Sequence, residues 1–237
     1  MEMVLNGHGL VLAYVNDPAI IEALDQERIF EDLAEGAYDA MVFRPEKWRL
    51  ADHDHLVLAR AGRTGQYLGL LAASEAEAGR ETFLDIETAF IAPAAQDLDL
   101  LQRMLALVML RIEGTDAAPS VVTACTGSAA CLAALRDMAA QCPGTVLFPQ
   151  TDSRVVALGT AALARRLIRQ IAPRTRLDVA TGQVQGHREQ VLAVLDLRAC
   201  PPGAVVEAAR TMCRARPTRA AWRQAFGAPA ARFAAGR

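Results

Sequence analysis

Two carboxylates, Asp85 and Glu87, stand one residue apart in the segment ETFLDIETAFIAP. The segment alternates well enough to predict a β-strand that ends at Pro93. Because successive side chains of a strand point to opposite faces, the two acids are expected on one face and Ile86 and Thr88 on the other. Burying a pair of acids on one face of a central strand is costly unless the pair has a role. Two interpretations stay open: a carboxylate that accepts a proton, or a solvated face or salt bridge.

The sequence DHDH, Asp52 to His55, is a second polar cluster. If this segment were a strand, His53 and His55 would face one side and could share a metal ion. The chain supplies no companion ligand nearby in sequence, since His8 and His187 are remote. We therefore interpret DHDH as a polar loop and expect no metal site.

Ser128 and the cysteines are the remaining candidate nucleophiles. The segment CTGSAAC lacks the full Gly-x-Ser-x-Gly pattern of a nucleophile elbow, so Ser128 is expected to cap the helix that follows it. Cys131 lies on an apolar helix, where a cysteine usually fills the core. The five cysteines form no CxxC pair, and an odd count with wide spacing does not indicate a disulfide framework. We expect reduced thiols in a cytoplasm, because the N-terminus also lacks the pattern of a signal peptide.

The elements that must position these residues alternate between strands and helices. Over about the first 150 residues the predicted order is β, α, β, β, β, α, β, α, β, which indicates a mixed α/β or α+β sheet with helices packed on it. The helix LDLLQRMLALVMLRIEG carries so wide an apolar arc that it should be largely covered. The predicted segments are a strand over Gly9 to Asp17, a helix over Pro18 to Gly36, a hairpin with its turn at Arg60 to Gly65, the strand ending at Pro93, the helix ending at Gly114, the strand SVVTACT, the helix SAACLAALRDMAAQ and the strand GTVLFPQ.

The character of the chain changes beyond Pro149. We predict a domain over residues 1–150 and a C-terminal extension over residues 151–237, with helices, a short strand pair and a frayed tail. The extension is rich in arginine, but a net charge of −2 for the whole chain does not favour nucleic acid as a partner. The longest apolar run, Met104 to Leu110, is far shorter than the roughly 20 residues that a membrane span needs. Heavy use of alanine and arginine suggests a GC-rich bacterial genome.

The order of elements, with FIAP (Phe90 to Pro93) closing the fourth strand of the family pattern, resembles the GNAT acyltransferase superfamily. The resemblance covers roughly residues 9 to 149. It implies transfer of an acyl group from acetyl-CoA or another acyl-CoA to an amine on a small molecule or a protein. It also implies that Glu87 relays a proton, through water, from the acceptor amine.

In this family, a loop between the proline and the long helix binds the CoA pyrophosphate with backbone N–H groups, and glycines allow close approach. The resemblance therefore assigns donor binding to residues around the strand end and the helix start: Phe90, Ile91, Gln96, Asp97, Leu98, Asp99 and Leu100. Gln96 matches the leading polar position, whereas Asp97 and Asp99 stand where glycine is expected. Both aspartates favour the helix start, by about 0.3–1 kcal/mol each. A carboxylate about 4 Å from a phosphate would repel it by about 4 kcal/mol at an effective dielectric near 20.

A second departure from the family concerns the acid that protonates the leaving thiolate. The family often has a tyrosine late in the next helix, and the nearest counterpart here is Leu135. Two functions from different classes therefore remain: an N-acyltransferase with Glu87 as the base, and a catalytically silent binding or regulatory module of the same fold. Base rates favour a two-fold dimer in either case.

Overall fold

The computed structural model of the chain describes residues 5–7, 10–21, 23–34, 49–79, 81–112, 119–149, 158–171, 176–178, 180–185, 190–201 and 203–214. Within these residues the chain forms eight β-strands and five α-helices. The strands are β1 (Leu5–Gly7), β2 (Leu10–Val15), β3 (His55–Ala61), β4 (Tyr67–Ala78), β5 (Glu81–Ile91), β6 (Val121–Thr126), β7 (Val146–Phe148) and β8 (Val191–Asp196). The helices are α1 (Ala23–Ala34), α2 (Leu100–Ile112), α3 (Ala129–Gln141), α4 (Leu158–Ile171) and α5 (Ala204–Arg214).

All eight strands form one mixed sheet in the order β1-β2-β3-β4-β5-β6-β8-β7. Strands β1 to β5 are antiparallel neighbours in chain order. Strands β5 and β6 are parallel, which requires a crossover connection, and α2 supplies it. The predicted fold class, a mixed α/β sheet flanked by helices, is confirmed.

The last strand of the sheet comes from the segment that the sequence assigns to a C-terminal extension. β8 pairs antiparallel with β6 on one side and with β7 on the other, so it lies inside the sheet. Helix α5 packs against α2, and Ala209 and Met212 are buried in the same core as the β2 side chains Leu10 and Leu12. Residues 191–214 therefore complete the sheet and its core. The division at residue 150 stays a prediction, and the predicted frayed tail lies outside the described residues.

Two further segments differ in detail from the sequence-based expectation. The helix predicted from Pro18 starts as a 3-10 turn, Pro18–Ile20, and the α-helix begins at Ala23. Asp17 caps the 3-10 turn by accepting a hydrogen bond from the Ala19 N–H at 3.1 Å. The strand pair predicted in RLDVATGQVQG is reduced to bridges such as Leu177 with Val184.

The sheet separates a large core on one face from two smaller apolar clusters on the other. The large core holds α2, α3 and α5 against side chains such as Leu71, Leu84 and Ile86. On the opposite face, the α1 cluster packs α1 on β3 and β4, and the α4 cluster packs α4 on β5, β6 and β8. The α1 cluster consists of Ile29, Phe30, Leu33, Leu50, Leu56, Leu58, Leu70 and Ala72. The α4 cluster consists of Ala78, Phe83, Val121, Phe148, Leu163, Ala164, Leu167, Ile168, Val184, Leu192 and Val194.

Helix α2 is covered on nearly all sides, as its wide apolar arc predicts. Ten of its residues are buried, because the sheet lies on one side and α3 and α5 on others. Each leucine buried in this way contributes about 1.5–3 kcal/mol. The position of the α2 start relative to β5 is therefore fixed by packing.

A charged network ties α4 and the end of β8 to the start of β5. Glu81 accepts hydrogen bonds from Arg166 at 2.5 Å and from Arg198 at 2.9 Å. Arg198 also donates to both carboxylate oxygens of Asp196, at 2.9 and 2.6 Å. The Thr160 hydroxyl donates to Asp196 at 3.3 Å. These paired charges link α4, β5 and the end of β8 on one face of the sheet.

Candidate functional site

The two parallel strands at the centre of the sheet separate partway along their length. β5 and β6 pair from Phe83 with Val121 to Ile86 with Ala124. Beyond Ile86, β5 runs on to Ile91 without pairing to β6, whereas β6 remains paired with β8 as far as Thr126. The result is an opening between the strands on the side where β5 leads into α2. The predicted strand, proline and helix are thus separate elements with a splay beside them.

A β-bulge lies where the strands begin to separate. Ala72 of β4 pairs with Thr88, and the next residue, Ala73, pairs with Ile86, so Glu87 is the extra residue. The bulge shifts the phase of β5. Leu84 and Ile86 face the large core before it, and Ala89 and Ile91 pack against that core after it. Glu87 therefore has no cross-strand partner in the β4 pairing.

A row of polar side chains crosses the sheet between the α1 and α4 clusters. We call it the polar row and define it as Thr123 on β6, Asp85 and Glu87 on β5, Ser74 on β4, and His53 just before β3. The Ser74 oxygen is enclosed by protein and lies close enough to Glu87 to influence its carboxylate. The two acids predicted to share one face do so, and they lie in the gap between two apolar surfaces. The prediction that Thr88 shares the face of Ile86 is wrong, because the bulge lets Thr88 pair with Ala72 of the α1 cluster while Ile86 faces the large core.

Asp85 is mostly buried in this row. The Thr123 hydroxyl donates a hydrogen bond to the Asp85 carboxylate at 2.6 Å. Burial raises the Asp85 pKa from its ordinary 3.8 to about 6; the Thr123 hydrogen bond opposes the rise, and the charge of Glu87 adds to it. Asp85 is therefore an acid that titrates close to neutral pH.

Glu87 is the more exposed of the two acids, with 44% of its side chain accessible. Its Oε1 lies 3.6 Å from Nδ1 of His53, whose side chain is only 11% exposed. The interaction with His53 lowers the pKa of Glu87 below its ordinary value; burial opposes this effect, and Ser74 adds to it. Glu87 is thus ionised at neutral pH and accessible from the solvent, so it can accept a proton through a water molecule.

The segment predicted to bind the donor runs from the end of β5 to the start of α2. Phe90 packs against the α1 cluster, and Ile91 against the large core. The chain then forms a 3-10 helix, Pro93–Leu98, that includes the backbone of Gln96 and Asp97. Leu98 and Leu100 are buried in the large core, so their side chains anchor the segment, and only their backbone is left to bind a donor. The side chains of Gln96 and Asp97 lie outside the described part of the structure.

Asp99 has a backbone conformation that glycine would adopt readily. Its φ is +51°, and it is the one non-glycine residue with a positive φ in the described part of the chain. It is exposed and directly precedes Leu100, the first residue of α2. The backbone thus has a left-handed conformation that glycine adopts most readily, at a position where the resemblance expects glycine, while the side chain adds a negative charge.

The structure also locates the residues weighed as an acid or a nucleophile. Leu135, at the tyrosine position of the family, is buried in the large core and cannot donate a proton. Cys131 is buried in the same core, and burial raises its pKa to about 11, so it remains a neutral thiol. Ser128 accepts a hydrogen bond from the Cys131 N–H at 3.3 Å and caps α3, as predicted.

The two histidines of DHDH have different environments. His53 belongs to the polar row, whereas His55 contacts Tyr14 and Glu75. The Tyr14 hydroxyl and His55 Nδ1 are 2.5 Å apart, and His55 Nε2 lies 3.0 Å from Glu75. The described ranges contain no group of three histidine, cysteine or acidic side chains that could hold a metal ion.

Comparisons with known proteins give matches among solved structures only. No family model and no curated protein sequence matches the chain. Diaminobutyrate acetyltransferase EctA from Paenibacillus lautus, solved with L-2,4-diaminobutyric acid and coenzyme A, is 16% identical, with a TM-score of 0.44, over 79% of this chain and 95% of its own. A GCN5-related N-acetyltransferase from Brucella melitensis is 11% identical, with a TM-score of 0.49, over 89% of this chain and 85% of its own.

The described elements follow the order that the resemblance implies, namely strand, hairpin, strand ending before a proline, helix, strand, helix and last strand, although the two helices, α2 and α3, are equally long at 13 residues. This order of elements agrees with the resemblance to the GNAT superfamily. At such low identities, no residue role is transferred from those structures to this chain. None of the helices in the described ranges has both the length and the apolar character needed to cross a membrane.

Sequence reasoning missed three features of the site: the bulge at Glu87, the contact from His53, and the left-handed turn at Asp99. The bulge at Glu87 had a signal in the sequence, because apolar residues alternate up to Ile86 and then resume out of phase at Ala89. The left-handed turn at Asp99 also had a signal, because aspartate tolerates the left-handed region better than most residues. The His53 contact spans 34 residues of sequence and has no local signal.

Proposed function

We propose that the protein is an N-acyltransferase that moves an acyl group from acetyl-CoA or another acyl-CoA to an amine. The observation that carries the proposal is the splay of β5 from β6 with Glu87 in a bulge beside it. The splay supplies an opening where a thioester can meet a nucleophile. The bulge presents an ionised, solvent-accessible carboxylate at that opening.

The proposed reaction is direct attack of a neutral amine on the thioester carbon. A C–N bond forms, the C–S bond breaks, and the sulfur leaves with the electron pair. The proton of the amine passes, through water, to the Glu87 carboxylate. Because Leu135 cannot act as an acid, the thiolate is protonated from solvent or leaves as the anion. The acceptor amine, on a small molecule or a protein, is expected to bind in the polar row.

Donor binding is proposed for the backbone of residues 90–100, with Gln96. The N–H groups of the first turn of α2 have no partners within the helix, so they are available to an anion. The charge at Asp99 opposes this role. At about 4 Å the repulsion would be about 4 kcal/mol at an effective dielectric near 20, which offsets much of a micromolar affinity.

The same charge supports a second candidate function. A GNAT-like module that binds a partner and does not catalyse would need neither a phosphate-binding turn nor an acid at position 135. Asp99 and the buried Leu135 favour this alternative, whereas the bulge at Glu87 favours the enzyme. The location in a bacterial cytoplasm and the two-fold dimer stay predictions under either function.

Calorimetry with acetyl-CoA and longer acyl-CoAs, followed by turnover with a panel of amines, tests the proposal. The wild type is expected to bind at least one thioester and to acylate at least one amine. Glu87→Gln should retain binding and lose turnover. The proposal is refuted if the wild type binds no thioester while the Asp97→Gly/Asp99→Gly double variant does, because the site is then a relic.

Asp99→Asn separates charge from backbone effects in that experiment. Asparagine tolerates the left-handed region about as well as aspartate but carries no charge. If repulsion limits donor affinity, Asp99→Asn and Asp99→Gly should tighten binding to a similar extent. If close approach of the backbone is limiting, only the glycine variant should tighten it.

A further inference from the structure

His53 contacts Glu87 but does not belong to β5, the strand that contains Glu87. It follows the 3-10 turn Leu50–Asp52, which is held by a hydrogen bond from the Leu50 N–H to Gln26 of α1 at 2.9 Å. The His53 Nδ1 atom is enclosed and has no hydrogen-bond partner within the described ranges. Glu87 Oε1, at 3.6 Å, is the acidic oxygen that pairs with it. A buried polar atom without a bonded partner is rare enough to need an explanation.

Glu87 needs such a contact because of its place in the bulge. A residue in regular pairing has its side-chain direction set by its cross-strand neighbours, whereas the extra residue of a bulge lacks that constraint. Ordering a glutamate side chain costs conformational entropy. A half-exposed glutamate therefore keeps one orientation only if something outside the strand holds it.

We propose that His53 is a positioning residue for Glu87, with the imidazole Nδ1–H holding one carboxylate oxygen and leaving the second oxygen to take the proton of the acceptor amine. The inference rests on the proposed function, because it assigns His53 a part in the same reaction. It also gives a role to a motif that the sequence alone assigns to a polar loop.

The electrostatics of the polar row agree with this role. The groups that the structure places against Glu87 are Asp85 from the same strand, Ser74 from β4, and His53. Contacts from His53 and Ser74 favour the ionised form of Glu87 and lower its pKa, while burial opposes them. Without His53 the proton would bind Glu87 at a higher pH, so the acid limb of the rate profile should move upward.

The test compares His53→Asn with His53→Leu. Asparagine carries an N–H donor close to the place of Nδ1, whereas leucine fills a similar space without a donor. The first measurement is the titration of the Glu87 carboxyl by ¹³C NMR, assigned by comparison with Glu87→Gln. It needs no turnover, so it tests the inference even if no amine is acylated. The second is kcat and KM for an amine as a function of pH.

We expect His53→Leu to move the Glu87 titration and the acid limb of kcat/KM to higher pH and to lower kcat more than it changes KM. His53→Asn should show a Glu87 titration and a kcat closer to those of the wild type than His53→Leu does. The inference is overturned if neither variant moves the titration, or if His53→Asn is as inactive as His53→Leu with binding intact. In the latter case the imidazole itself accepts the proton.

His55→Asn is the matched control, because His55 lies two residues away and contacts Tyr14 and Glu75 instead of Glu87. It should leave the Glu87 titration unchanged. If it shifts the titration as much as His53→Leu does, the effect is a general loosening of the β3 start, and the inference fails. Tyr14→Phe serves the same purpose if His55→Asn does not fold.

Discussion

Replacing Asp85 by asparagine should stabilise the protein at neutral pH. The Asp85 pKa is raised from 3.8 to about 6 in the folded chain, so the folded state holds the proton more tightly than the unfolded state does. Stability therefore falls as the pH rises from about 4 through about 6. This rise in the Asp85 pKa corresponds to a loss of at most about 3 kcal/mol, and partial exposure of Asp85 reduces the expected loss to about 1–2 kcal/mol.

Asparagine avoids this loss because it is neutral at every pH and its oxygen can still accept the hydrogen bond from Thr123. Urea denaturation of the wild type and Asp85→Asn between pH 4 and pH 8 measures the difference. The two proteins should be nearly equal at pH 4, and the variant should be more stable at pH 8, with a melting temperature several degrees higher. A variant that is no more stable than the wild type at pH 8, or equally stabilised at pH 4 and pH 8, would refute the reasoning.

Glu87→Gln provides a control of opposite sign. The pKa of Glu87 is lowered in the folded protein, so its charge contributes stability above pH 4.5 that is lost as the pH falls through the folded value. Glu87→Gln should therefore be less stable than the wild type at pH 8, and the difference should disappear in acid. Two neighbouring acids of one strand should thus respond to neutralisation in opposite directions.

Two further predictions concern the frame of the sheet. Gly144→Ala should destabilise the protein by more than Gly79→Ala in urea denaturation. Both glycines have a positive φ, which costs alanine about 1–2 kcal/mol. A Cβ at Gly144 would in addition lie 2.6 Å from the Ala199 carbonyl oxygen, whereas a Cβ at Gly79 would have nothing within 4 Å. Equal losses would contradict the contact. A chain ending at residue 150 should fail to fold cooperatively because it lacks β8, whereas a chain ending at residue 214 should fold. Near-UV circular dichroism and proteolysis measure the difference. A cooperative transition in the shorter chain would instead support a domain boundary at residue 150.

The parts of the fold that sequence predicts well are those that local signals determine. Ser128 before an apolar helix predicts a cap, and Pro93 after an alternating segment predicts the end of a strand, because both act through the backbone of their immediate neighbours. The covered helix α2 is predicted by the width of its apolar arc. Sequence alternation correctly places Asp85 and Glu87 on one face because both precede Thr88, where the bulge changes the alternation of β5.

The features that sequence does not predict depend on pairing between distant segments. QVLAVLDLR reads as an apolar stretch, and nothing within it indicates that it lies between β6 and β7. The pKa values of Asp85 and Glu87 diverge because burial in the folded chain raises that of Asp85, whereas His53 lowers that of Glu87. Two carboxylates separated by a single residue therefore acquire different chemistry from surroundings that only the fold supplies.

The place of β8 in the sheet has a consequence for synthesis of the protein. While the ribosome adds residues 149 to 191, at roughly 5–20 residues per second, β6 has an open edge and β7 lacks the strand that it pairs with in the described structure. For an interval on the order of seconds, the nascent chain exposes unpaired backbone groups beside apolar side chains, which is the condition that favours wrong association between chains. Co-translational chaperones should therefore matter more for this protein than for one whose central strands emerge in order.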